Sequence, residues 1–164
     1  MIANAHDIYE RYARDVHRFA LYLSGDPTLA DDITAEAFVR LWTAPGEIRT
    51  STVKSYLFTI ARNLYLTGRR HQRRETDLNA ESLPTPAPSP ETLAIVRDQA
   101  RRVFHAIGRL PEIDRTALML HAREQMPYQE IASILGLSVT AVKVKVHRAR
   151  VRLLTSCPRT EPQP

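Results

Sequence analysis

The side chains with most capacity for chemistry sit in two basic blocks. TGRRHQRR runs from Thr67 to Arg74, and KVKVHRARVR from Lys143 to Arg152. Guanidinium and ammonium groups at this density neutralise phosphate, and two separate blocks imply two places where a polyanion is met. The chain carries a net charge of +5, which points the same way without deciding it. Catalytic chemistry has no comparable cluster. His6, His17, His71, His105, His121 and His147 are scattered without the spacing of a zinc site. No glycine loop could cradle a nucleotide phosphate, and no serine or cysteine stands in a nucleophile motif. Cys157 is the single cysteine, so neither a disulfide within the chain nor a cysteine zinc cluster can form. An enzyme is not expected, nor a cofactor, nor a metal centre.

Helices must position the basic blocks. Before residue 75, three apolar stripes recur at helical spacing. Ile8, Tyr12, Val16, Phe19 and Leu23 form the first, which Gly25 stops. Asp26 and Pro27 supply a cap and first turn for the second, whose buried stripe is Leu29, Ile33, Ala37 and Leu41, with Phe38 and Trp42 beside it. Pro45 and Gly46 open a loop, and Ser51 or Thr52 caps a long third helix with Val53, Leu57, Ile60 and Leu64 inward. This helix ends in the first basic block. SLPTPAPSPET, Ser82 to Thr92, then packs four prolines together. Proline has no N–H and pushes its predecessor toward extended geometry, so no helix crosses it and a spacer between two folded units is expected. Beyond it, Leu93, Val96, Ala100, Val103, Ile107 and Leu110 fit a helix. Pro111 starts another, reaching about Arg123, Pro127 starts a third that ends at Gly136, and Ser138 caps a fourth.

The second basic block also alternates valine with a cation from Val142 to His147, the period of a half-buried strand. Wound at about 3.6 residues per turn, however, Val142, Val146, Ala149 and Leu153 share one face for three turns. No partner strand exists for the alternative, so a helix is expected with Val144 as its exposed misfit. Ala132, Gly136 and Val142 have the spacing of a helix-turn-helix. Ala132 permits a close crossing, Gly136 supplies a positive φ, and Ile131, Leu135, Leu137 and Val142 fill the crossing. Such a motif offers the start of its second helix to a DNA major groove. A plain helical hairpin in a core is the alternative, disfavoured by the basic outer face.

With these residues in place, the chain resembles the extracytoplasmic-function (ECF) group of bacterial RNA polymerase sigma factors. Leu110 to Leu154, with LPEIDR, YQEIASILGLS and AVKVKVHRAR, is similar to sigma region 4. LADDITAEAFVRLW, Leu29 to Trp42, resembles region 2.2, and VKSYLFTIARNLYLTGRRHQRR, Val53 to Arg74, regions 2.3 and 2.4. The resemblance implies an all-α fold of two small domains joined by a Pro-rich linker: region 2 over 1–74, a linker over 75–91, region 4 over 92–157 and a tail over 158–164. It also implies binding to core RNA polymerase, through the β′ coiled coil and the β flap, promoter recognition and help in melting the duplex. Against the −35 element it places Arg115, Tyr128, Ser138, Thr140, Ala141, Lys143, Val144, Lys145, His147 and Arg148, with Gln129 also near the backbone. Tyr128 could equally be packing. Against the −10 strand it places Arg49, Thr50, Ser51, Lys54, Arg62, Asn63, Arg69 and Arg70. Tyr56 and Phe58 are candidate base stackers, with Tyr56 favoured as core, and Asn63 reaches either a base or the backbone. Asp32, Glu36, Phe38 and Leu41 match the polymerase-binding face. An anti-sigma factor is a partner that the resemblance allows.

Departures from the family pattern fall at Ala35, Thr67, Thr140, Ala141, Val144 and Lys145, where glutamine, aspartate, glycine, threonine, serine and arginine are usual. They leave the promoter sequence open. Two rivals also stand: a helix-turn-helix regulator without a polymerase role, and an RNA-binding protein using the arginine block. No apolar run is long enough to span a bilayer and the first residues lack a signal-peptide core, so no membrane insertion and a cytoplasmic location are expected.

Overall fold

The computed structural model describes residues 4–46, 53–76 and 94–157, except for the side chains of 70–76 and 94–96. Every regular element among them is helical: α1 (Ala5–Ser24), α2 (Pro27–Thr43), α3 (Val53–Thr76), α4 (Ala94–Gly108), α5 (Glu112–Leu118), α6 (Tyr128–Leu135) and α7 (Val139–Ser156). α5 runs on into a π-helical turn, Met119–Arg123. The chain divides into two units, Met1–Pro86 and Ala87–Pro164. The proline-rich stretch and the expected cap at Ser51 or Thr52 lie outside the described residues.

In the first unit α1, α2 and α3 pack against one another. The bend between α1 and α2 follows from local chemistry. Gly25 takes a left-handed φ of 68° and its N–H donates to the Leu21 carbonyl at 2.8 Å, closing α1. Asp26 then accepts the Thr28 N–H at 2.9 Å, with Pro27 in the first turn, opening α2. Val16, Phe19 and Leu23 of α1 meet Ile33, Ala37, Phe38 and Leu41 of α2 and Val53, Leu57, Phe58, Ala61 and Tyr65 of α3 in one apolar core. Phe19 and Phe58 pack edge to face, their centroids 4.9 Å apart.

In the second unit α7 is the hub, packed on α4, α5 and α6, and α5 also meets α6. The expected α4 stripe is buried only toward its end: Ile107 and Leu110 are inside, while Ala100 and Val103 are exposed. The alternating segment is helix. Val142, Val146 and Ala149 are fully inside, and Val144 is 47% exposed. Gly136, at φ 65°, ends α6, and both its N–H and that of Leu137 donate to the Ala132 carbonyl. Two residues on, Ser138 Oγ accepts the Ala141 N–H at 3.1 Å and opens α7. Replacing Ser138 by Ala is expected to lower unfolding stability by about 1 kcal/mol, the usual loss of an N-cap. Urea denaturation checks this, and an unchanged midpoint would mean the cap contributes nothing.

Candidate nucleic-acid interface

The tight turn at Gly136 throws α7 across α6, and burial of Val142, Val146 and Ala149 fixes which side of α7 faces out. Thr140, Lys143, Val144, His147, Arg148 and Val151 come together on that outer side, all exposed. Lys143 and Arg148 are cations, His147 adds an imidazole, and Val144 offers a methyl-sized apolar contact among them. Lys143 is held at the start of the face: its Nζ lies 5.6 Å above the Tyr128 ring. Tyr128 in turn stacks on His121 with centroids 4.4 Å apart, and its hydroxyl is 3.2 Å from His121 Nε2. Tyr128 is thus packed as a support under Lys143, and Gln129 beside it is exposed.

Other residues expected at this face have local duties. Ser138 spends its hydroxyl on the helix cap, and Ala141 is half-buried. Arg115 is almost wholly buried, with Nη1 donating to the Gly108 carbonyl at 3.3 Å, so it ties α5 to the end of α4. A guanidinium enclosed there is not presented to a DNA backbone. Lys145 points toward α5, where its Nζ lies 3.6 Å from Asp114 Oδ1.

The first unit carries a second surface. On α3, Tyr56 and Asn63 lie two turns apart on one exposed face. The expected order of the aromatics is reversed: Tyr56 is 39% exposed, whereas Phe58 is fully buried against Phe19 and closed to any base. Lys54 and Arg62 are half-buried, with Lys54 Nζ 5.8 Å from the Phe58 ring centroid, and Arg69 is exposed. Arg49, Thr50, Ser51 and the Arg70 side chain lie outside the described residues.

Known families match both units, in chain order. The Sigma-70 region 2 family matches residues 8–75, and the Sigma-70, region 4 family matches residues 100–153. The ECF RNA polymerase sigma factor SigM of Bacillus subtilis is 30% identical over 148 residues, 90% of this chain and 91% of that protein. This chain belongs to the ECF sigma factors. A probable RNA polymerase sigma factor, RfaY of Xanthomonas campestris, is 32% identical over 82% of this chain, which spans only 36% of that longer protein. The sigma factor RpoE of Bartonella quintana, solved with the anti-sigma factor NepR, shares the fold at a TM-score of 0.79, with 23% identity and coverage of 93% of this chain and 96% of that one. As a sigma factor, the protein acts with core RNA polymerase at promoter DNA to start transcription.

Within the sigma factor, the expected polymerase-binding set divides. Asp32 and Glu36 are exposed one turn apart on α2, and Glu36 accepts from Arg40 Nε at 2.9 Å. Phe38 and Leu41 belong to the core: Phe38 is 1% exposed and packs edge to face on Tyr9 at 5.0 Å. Both are closed to solvent in this structure and offer no outer surface to a partner. Sequence reasoning missed the apolar groups that do face out beside the acidic pair. Val39, Trp42 and Tyr9 are each exposed by nearly half. Tyr9 and Trp42 border a shallow hollow of about 330 Å³ with Ala5 and His6. Their signal lay in the spacing Asp32, Ala35, Glu36, Val39, Trp42, which is one continuous helix face opposite the buried stripe. Among the described residues, no cluster of histidine, cysteine or acidic side chains is placed to hold a metal, and no helix is long and apolar enough to cross a membrane.

Proposed function

We propose that region 4 of this sigma factor reads a −35-type element as duplex through the outer face of α7, led by Lys143, Val144 and Arg148. Arginine can pair with guanine edges in the major groove, lysine suits phosphate, and Val144 suits a thymine methyl. The observation carrying this reading is the helix-turn-helix turned so that these side chains share one exposed side. Region 2 engages the opening −10 strand along α3. Tyr56 supplies a stacking surface, Asn63 a polar edge, and Arg62 and Arg69 neutralise phosphate. Arg49, Thr50, Ser51, Lys54 and Arg70 are assigned to the same strand from the family pattern. Asp32, Glu36, Val39 and Trp42 dock on core polymerase at the β′ coiled coil, while region 4 meets the β flap. The protein is a cytoplasmic initiation factor without catalysis of its own. An anti-sigma factor covering these faces belongs to the same reading.

Transcription with purified core polymerase tests this. Promoter-dependent initiation is expected from templates mapped after overexpression, and its absence would sink the reading. Asp32→Ala with Glu36→Ala is expected to weaken core binding about tenfold, mainly through slower association. Unchanged affinity would move the docking face elsewhere.

A further inference from the structure

Lys145 looks in sequence like one more cation of the DNA-reading helix, but the structure gives it another partner. Asp114 on α5 is only 1% exposed, and its Oδ1 lies 3.6 Å from Lys145 Nζ. The other carboxylate oxygen, Oδ2, is buried and makes no hydrogen bond. A carboxylate so placed is costly to bury as an anion unless a cation stays beside it. Lys145, with its side chain 28% exposed, is that cation. It sits one residue beyond the outward-facing Val144, a rotation of about 100° around the helix toward α5. A buried carboxylate is less screened by water and salt than a phosphate at the protein surface, so it competes well for the ammonium.

We propose that Asp114 is a positioning residue: it withholds Lys145 from DNA and pins the middle of α7 to α5, leaving Lys143, Val144, His147 and Arg148 to meet the duplex. This inference rests on α7 being the duplex-reading helix, and it removes Lys145 from the reading set. Recognition then depends on fewer cations than the sequence displays, and Asp114 helps set specificity although it touches no DNA.

The salt dependence of binding separates this role from a merely structural one, because each phosphate neutralised adds about 0.9 to the slope of log K against log salt. The full-length chain would be titrated by fluorescence anisotropy with a duplex recovered from random-sequence DNA by selection on the wild-type chain. Asp114→Asn and Asp114→Asn/Lys145→Gln would be compared with wild type, since neither leaves a buried charge without its partner. The single variant is expected to steepen the slope by about 0.9, as the released Lys145 reaches phosphate, and the double variant to restore the wild-type slope. A double variant shallower than wild type by about 0.9 would show that Lys145 already contacts phosphate, overturning the proposal. Equal slopes in all three would overturn it too, because Asp114 would then withhold nothing. If neither the wild-type chain alone nor the same chain bound to core polymerase selects a duplex, the α7 reading itself falls, and the proposal with it.

Discussion

Replacing Lys143 and Arg148 together by Ala is expected to weaken binding to the −35-type duplex by about 2–4 kcal/mol, on the order of a hundredfold, while core polymerase binding persists. Both side chains are exposed on the outer face of α7, and neither shares in the buried stripe of Val142, Val146 and Ala149. Truncating them should therefore leave the helix-turn-helix intact. Arg148 is the better candidate for a two-pronged contact to a base edge, so its loss should relax sequence preference. Lys143, supported by the Tyr128 ring, should act as a phosphate anchor whose loss weakens all sequences alike and reduces the salt slope by about 0.9. Duplex affinity and core affinity, measured on the same preparation, check this. Loss of core binding in the double variant would indicate misfolding or a wrong assignment.

The choice of Lys143 and Arg148 shows what could be read from the chain and what could not. Helix-forming periodicity is local, so the three helices of region 2 were legible from spacing, and the junction at Gly25 and Asp26 and the turn at Gly136 from their capping residues. The direction of Val144 was legible for the same reason: Val142 and Val146 continue an apolar stripe through Ala149, and one helix cannot bury both sides here. Tertiary partners were not legible. Lys145 meets a carboxylate on another helix, and Arg115 meets a carbonyl at the end of α4. No spacing within α7 or α5 announces either contact. Tyr56 and Phe58 stand two residues apart, nearly opposite on a helix, and both are aromatic. Phe58 is inside because the buried side of α3 runs through Leu57, Phe58, Ala61 and Tyr65, where Phe58 meets Phe19. α2 posed the hardest case. Its apolar residues run most of the way round, through Leu29, Ile33, Ala37, Phe38, Val39, Leu41 and Trp42, so periodicity alone could not divide core from docking face.

That ambiguity yields the second large effect. Phe38→Ala is expected to destabilise region 2 by about 3–5 kcal/mol, the cost of emptying an aromatic site in a packed core. Against a total stability of roughly 5–15 kcal/mol for an ordinary domain, a three-helix unit has little reserve, and it should melt early or fail to fold. Trp42→Ala removes a side chain that is 49% exposed, so stability should fall by only about 1 kcal/mol. Its effect should appear in polymerase affinity, weakened by at least about 2 kcal/mol, because a half-exposed tryptophan beside Tyr9 and Val39 has the character of an interface anchor. Thermal denaturation paired with core affinity separates the two roles. Phe38→Leu keeps the site filled and provides a folded variant for the comparison. If Phe38→Leu melts like wild type yet loses polymerase binding, Phe38 makes a direct contact and its burial here is not the state that docks. If Phe38→Leu binds normally while Trp42→Ala does not, the docking face is the outer side of α2, and the core beneath it only holds that face in place.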